Sequence, residues 1–268
     1  MNRCVRVLTG LVILAMMLAI SGCTKLQARD QLNKGVQSYK NARYEEAIQH
    51  FKRAVELDPK LLNARLYLAT AYAQQYIPGA DTEDNNRMAT SAIEEYKNVL
   101  QSQPDNVGSV KGIAYLYLQM KKFEEAKEYY KKASAIDPRD PETYYSVAVI
   151  DWTEAYQPRM QERANLGLKP TDPLKDKKAC ETLKTKNETA VEEGIDQLQK
   201  AIKLRPDYDD AMAYLNLLYR ERADYNCDSD QSKADLQKAD EWVDKTMATK
   251  KAKAEKAGQS GIVMDQNK

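Results

Sequence analysis

Residues 44–59 read YEEAIQHFKRAVELDP. The same order returns at 123–138, FEEAKEYYKKASAIDP, and at 191–206, VEEGIDQLQKAIKLRP, while residues 92–104, AIEEYKNVLQSQP, keep its second part. Each copy has a small residue, an aromatic or leucine four positions on, alanine or valine three beyond that, and proline after five more. A 4-3 step lines one face of an α-helix. Proline lacks the N–H and clashes with the preceding turn, so it ends the helix. The small residues Ala47, Ala92, Ala126, Gly194 and Ala239 mark where a second helix comes closest, because a larger side chain there forces the two apart.

The repeat-ending prolines are Pro59, Pro104, Pro138 and Pro206, with gaps of 45, 34 and 68 residues. A 34-residue unit accounts for all three gaps if the first carries an insertion. This pattern resembles the tetratricopeptide repeat (TPR) family over about residues 28–250. The resemblance implies an all-α fold, an α-solenoid of helix-turn-helix TPR units. About five repeats are expected, at 28–61, 62–106, 107–140, 141–208 and 209–250. The first-helix stripe shows in Leu68, Ala69 and Tyr72, in Ile113, Ala114 and Tyr117, and in Leu215 and Tyr219. Asp140 before Pro141 reads as an N-cap with proline at the first helical position. Ser91 with Glu94 has capping-box spacing. Gln31 and Lys34 replace the usual bulky apolar residues, as a terminal repeat with one free face allows. The 68-residue gap equals two units; residues 157–190 are read as a long inserted loop with short helices, the alternative being a degenerate sixth repeat. Residues 251–268 are read as a C-terminal cap and disordered tail.

The N-terminus is built like an export signal. Arg3 and Arg6 precede Val7–Ile20, an apolar run of 14 residues. That is roughly 10 Å short of the ~30 Å hydrocarbon core, so residues 1–22 are read as a cleaved signal peptide. Ile20-Ser21-Gly22-Cys23 resembles the bacterial lipobox, with an ordinary secretory signal as the alternative. The resemblance implies lipidation of Cys23, which becomes the new N-terminus, with residues 23–27 a short tether. Stable anchoring takes more than one acyl chain. Thr24 after the cysteine resembles the pattern sorted to the outer membrane, facing the periplasm, in a diderm cell.

Composition narrows the partners. The 268 residues carry 41 Lys+Arg and 40 Asp+Glu; loss of residues 1–22 leaves 39 and 40. A near-neutral chain offers no global attraction to nucleic acid, so none is expected as a partner. No catalytic constellation or phosphate loop is present, and no enzyme activity or cofactor is expected. His50, the single histidine, is read as lying on a solvent face. Asp224, Asn226 and Asp228, with Asp235, have calcium-loop spacing, but Ser229 stands at the turn-glycine position. They are read as a solvated acidic turn, and no metal is expected. Asn187-Glu188-Thr189 has the letters of a glycosylation triplet only. Cys180 and Cys227 remain once Cys4 and Cys23 are set aside, and export favours a disulfide between them; two unpaired thiols are the alternative.

In the TPR family, first helices line a concave groove. Carried over by unit position, the groove falls on Tyr39, Asn63, Leu66, Lys111, Tyr115, Tyr145, Trp152 and Arg220, with Asp210 and Leu217 on the same stripe. The acidic-peptide clamp of one TPR subgroup is not implied, because Leu32 and Val36 stand where it needs Lys and Asn. The expected function is a membrane-anchored scaffold binding a protein or peptide. Accessory roles in outer-membrane protein or secretin and pilus assembly, and a small-ligand protein or enzyme using 157–190, are the alternatives.

Overall fold

The computed structural model describes residues 23–169, 172–227 and 229–265, with side chains described as far as Ala257. The fold is all-α, an α-solenoid, and among the described residues there is no strand. The helices are α1 (23–40), α2 (Tyr44–Leu57), α3 (Leu62–Gln75), α4 (Glu83–Ser102), α5 (Val107–Gln119), α6 (Phe123–Ile136), α7 (Pro141–Asn165), α8 (Lys177–Leu204), α9 (Asp209–Tyr225) and α10 (Asp230–Asp265). Two compact units divide inside α6, between Ala126 and Lys127.

In the first unit α2 packs on α3, α3 on α4 and α4 on α5. Ala47 and Ala92 are fully buried, and Ile48, Phe51, Ile93, Tyr96 and Val99 follow them on the same faces. The bulky residue of each 4-3 step needs an opening in its neighbour. A Cβ at Gly35 would lie 2.5 Å from the Phe51 ring, and one at Gly112 would lie 2.6 Å from the Tyr96 ring. Thr82, Asn106, Asp140 and Asp176 cap the starts of α4, α5, α7 and α8 through side-chain oxygens that accept backbone N–H groups. Ser91 is therefore not a cap; it sits inside α4, which begins two turns earlier at Glu83. The connection before α4 is held by Asn85, which accepts from the Ile77 N–H (2.7 Å) and donates to the carbonyls of Ile77 (2.8 Å) and Ala80 (2.7 Å).

In the second unit α7 packs on α8, α8 on α9, α9 on α10 and α7 on α9. Gly194 brings α8 close to both others: a Cβ there would lie 2.7 Å from Leu218 Cδ1 and 3.1 Å from Asp151 Cβ. The stretch expected to be a loop with short helices is instead a lengthening of two helices. α7 runs for 25 residues and α8 for 28, joined by a connection that contains Pro170 and Pro173. Pro158 lies inside α7, where proline costs about 3 kcal/mol. Tertiary contacts offset that cost. Asn187, buried on α8, donates to the Ala155 carbonyl (2.9 Å), one residue beyond the carbonyl that Pro158 leaves without a helical donor. Arg163, 3% exposed, forks onto Asp224 (2.9 and 2.8 Å) and donates to the carbonyls of Lys169 (2.9 Å) and Asp172 (2.7 Å). The end of α7 is thus fastened to both the connection and α9.

Further readings change at the termini. Thr24–Gln27 are helical rather than a tether, so these four residues advance about 6 Å instead of roughly 15 Å. The C-terminal stretch continues α10 as far as Asp265, and residues 266–268 lie outside the described residues, as does the signal segment 1–22. The alanine- and lysine-rich run 248–257 is a strong helix former, which carries α10 onward. Cys180, buried in the first turn of α8, and Cys227, just past α9, are brought together. Their Cα atoms are 5.8 Å apart, and a disulfide joins them.

Two outcomes follow from this packing. Gly112→Leu drives a side chain into the Tyr96 ring and lowers the thermal unfolding midpoint, at a cost of roughly 1–3 kcal/mol; adding Tyr96→Ala returns part of the loss. In a chain starting at Cys23→Ser, alkylation under denaturing, non-reducing conditions leaves Cys180 and Cys227 unlabelled. Reduction exposes both and lowers stability by about 2–4 kcal/mol; labelling without reductant would refute the bridge.

Candidate functional site

The α7–α9 pair of the second unit carries a cluster of aromatic rings. On α7, Tyr145, Val149, Trp152 and Tyr156 follow a 4-3-4 step and share one face. On α9, Asp210, Tyr214 and Leu217 form the matching stripe. The Tyr145 and Tyr214 rings meet edge-on at 5.6 Å, as do Trp152 and Tyr214 at 5.4 Å. Trp152 also packs on Tyr156 at 5.0 Å, and Tyr145 on Tyr208 at 5.0 Å. Edge-to-face contacts fix the ring planes against one another. Tyr145, Trp152 and Tyr214 are only half-buried, resting on the core of Ala148, Ala211, Leu215 and Leu218.

Polar groups set the edges of this face. Glu142 accepts from the Tyr208 hydroxyl (2.5 Å) and the Arg205 guanidinium (2.7 Å), which also stacks over the Tyr208 ring at 4.3 Å. Burial opposes ionisation of Glu142, but these two donors hold its carboxyl below the ordinary range. Burial, the Glu142 hydrogen bond and its charge push the Tyr208 hydroxyl up. Burial and the nearby Tyr214, Asp210 and Glu142 push Tyr145 up as well. Both phenols therefore stay protonated.

The same unit also buries charged groups. Asp151 is 0% exposed, with the Lys127 ammonium 2.5 Å from one oxygen and Glu154 and Glu193 sharing the same lysine at 3.5 Å. Burial pushes Asp151 up to about 7; Lys127 opposes this, and Glu193 and Glu154 add to it. Glu221, 3% exposed, is also pushed up to about 7 by burial, against the pull of Arg159. Arg159 donates to Asp224 at 2.5 Å and lies 3.4 Å from Glu221. Arg222 holds fully buried Asp235 (3.0 and 2.7 Å) and Glu192 (2.9 Å).

These pairings correct several sequence readings. Asp224 and Asp235 are neither calcium ligands nor a solvated turn, because arginines occupy their oxygens; Asp228 lies outside the described residues. His50 is not on a free face: it is half-buried and linked to Gln31 of α1 at 2.8 Å. Arg220 does not join the aromatic face, since its guanidinium is held by Asn216 (2.9 Å) and Asp240 of α10 (2.7 Å). Tyr145 and Trp152 are brought together through Tyr214. Tyr39, Asn63, Leu66, Lys111 and Tyr115 lie in the first unit: Tyr39 packs edge-on against Tyr44 at 5.2 Å, Leu66 and Lys111 are half-buried, Asn63 is exposed, and Tyr115 is 50% exposed. Cys23 is an exposed free thiol. Tyr156, Tyr208 and Tyr214 were not reached by carrying over unit positions. The 4-3-4 step from Tyr145 points to Tyr156, but nothing local marks Tyr208 or Tyr214.

A family model described as Tetratricopeptide repeat matches residues 86–149, and one described as TPR repeat matches residues 35–75. Tetratricopeptide repeats are thus recognised over residues 35–75 and 86–149. Solved structures with a similar fold include MamA protein, with a TM-score of 0.57 and 14% identity over 85% of this chain and 94% of that one. MamA 41-end from Desulfovibrio magneticus RS-1 has a TM-score of 0.57 and 17% identity over 84% of this chain and 96% of that one. YrrB, described as a TPR protein with an unusual peptide-binding site, has a TM-score of 0.51 and 15% identity over 84% of this chain and 90% of that one. At these identities the likeness concerns the fold alone. Protein CTR9 homolog of Arabidopsis thaliana is 36% identical over 59 residues, which is 22% of this chain and 5% of that protein's length.

The buried carboxyls make stability depend on pH. A carboxyl whose folded pKa is raised holds its proton more tightly in the fold than in the unfolded chain. Raising pH through that window therefore costs stability. Between about pH 4 and pH 7, the pH range set by Asp151 and Glu221, the unfolding midpoint falls as pH rises. Asp151→Asn flattens that slope in a series of thermal melts.

Proposed function

We propose that this protein is a lipid-anchored interaction scaffold of the cell envelope that grips a protein or peptide on the aromatic face of α7 and α9. The observation that carries the reading is the set Tyr145, Trp152 and Tyr214: half-exposed rings on adjacent helices, fixed edge-on to one another over a packed core. Large, pre-ordered aromatics give contact area at little cost in conformational entropy, and they are the usual anchors of protein interfaces. The repeat architecture and a peptide-binding neighbour such as YrrB support the same reading. The anchor rests on the resemblance of Ile20-Ser21-Gly22-Cys23 to a lipobox. With Cys23 exposed at the described start of α1, acyl chains there hold the first unit within a turn or two of the bilayer. In a diderm cell the site is the outer membrane, facing the periplasm.

The test uses a photo-cross-linking residue in the protein's own cells. Placed at Leu217, on the aromatic face, it yields one dominant protein adduct; placed at exposed Lys184 on α8, it yields none. Equal adducts at both positions, or none at Leu217, would remove the groove. In parallel, Cys23→Ser moves the chain out of the membrane fraction; a chain that stays there is not held by lipid on Cys23.

A further inference from the structure

The aromatic face has a charged end that limits what it accepts. Asp210 is exposed in the first turn of α9, one turn before Tyr214 and on the same stripe. Among the described residues no cation forms an ion pair with it. Lys253 of α10 is committed to Asp209 at 2.5 Å, although its field also reaches Asp207 and Asp210. Lys250 adds to that field at Asp209. Tyr214, one helical turn on from Asp210, meets Tyr145 edge-on at 5.6 Å, and the Asp210 charge is among the causes that push the Tyr145 hydroxyl up. Glu142, three residues before Tyr145 on α7, is already neutralised by Arg205.

The same surface displays what such a grouping binds. Arg205 lies over the Tyr208 ring at 4.3 Å and donates to Glu142 at 2.7 Å. Carboxylate, phenol ring and cation thus form one complete set within the chain. Asp210 with Tyr214, Tyr145 and Trp152 repeats the carboxylate and the rings without the cation. A cation over an aromatic face gains from the ring quadrupole, and a carboxylate at the edge adds directed hydrogen bonds.

We infer that the α7–α9 face docks a partner segment that presents an arginine or lysine side chain to Asp210 against Tyr145, Trp152 and Tyr214, with apolar neighbours lying along Val149 and Leu217. This rests on the groove reading above and names the chemistry of its occupant. An acidic segment is disfavoured, since it would meet Asp210 and the partly offset field of Asp207 and Asp209.

A phage-displayed library of random peptides, selected against the purified chain, tests the inference. Selected peptides are resynthesised and titrated into protein labelled with 5-fluorotryptophan. The chain has 2 tryptophans, and Trp242→Phe assigns the Trp152 resonance. Peptides that shift Trp152 are expected to be enriched in arginine or lysine over the unselected library. Their affinity falls about tenfold on Asp210→Asn, is kept on Asp210→Glu, and weakens as salt rises from about 0.05 to about 0.5 M. Trp152-shifting peptides without that enrichment, or with unchanged affinity for Asp210→Asn, would overturn the cation and leave the groove standing. If no selected peptide shifts Trp152, the groove itself falls and this inference with it. Thermal melts of each variant separate lost binding from lost fold.

Discussion

The close approach of paired helices at single small residues is the constraint on which the rest depends. Ala47, Ala92, Ala126 and Ala239 are all 0% exposed, and Gly194 lies so near Leu218 and Asp151 that a Cβ meets both. With backbones this near, the aromatic or leucine four positions on reaches across the pair. It then needs a gap of its own, which Gly35 leaves for Phe51 and Gly112 for Tyr96. The 4-3 step is therefore one half of a fitted contact, and the glycine on the other helix is the other half.

In the second unit the same contact carries an added layer of charge. Its helices run beyond the repeat length, and a proline lies inside one of them. Leu174, Ala179, Cys180 and Leu183 of the 157–190 stretch join the core, and its polar groups need an attachment of their own. Arg159 and Arg163 supply the attachment, converging on Asp224 with Glu221 beside it. Removing one member of a buried pair costs about 3–5 kcal/mol because it strands the other charge. The Cys180–Cys227 bridge closes the same corner from the α8 side. The aromatic face on α7 and α9 thus stands on helices tied by ions and a covalent bond as well as by packing, and that pre-ordering is what a recognition surface needs.

How much was legible depended on the range of the interaction. The helix pairs followed from spacing and prolines. The Asp140–Pro141 start was readable because a cap is decided by the next three residues, and Asp140 does accept from the Glu142 N–H at 3.0 Å. Ser91 and Glu94 met the same local rule and did not cap. α4 had already begun at Glu83 behind the Thr82 cap, and a helix in progress needs no second start. The 157–190 stretch misled for a related reason. Its prolines weigh against a helix locally, while the contacts that sustain one come from Asn187 and Asp224, 32 and 61 residues away from the groups they bind. Tyr145 and Trp152 were readable as members of a stripe. Tyr208 and Tyr214 joined them only because α9 lies beside α7.

The sequence by itself determined the α-helical repeat and its close-packed positions, because each rests on residues within one or two helical turns. Tertiary structure alone decided which carboxylates are neutralised. Asp224, Asp235 and Glu142 look alike in the sequence as solvated acids, yet each is held by an arginine from a distant turn or helix, whereas Asp210 is exposed one turn before Tyr214. The physical reason is that pairing of charges is set by distance and burial in space, and neither follows a period along the chain.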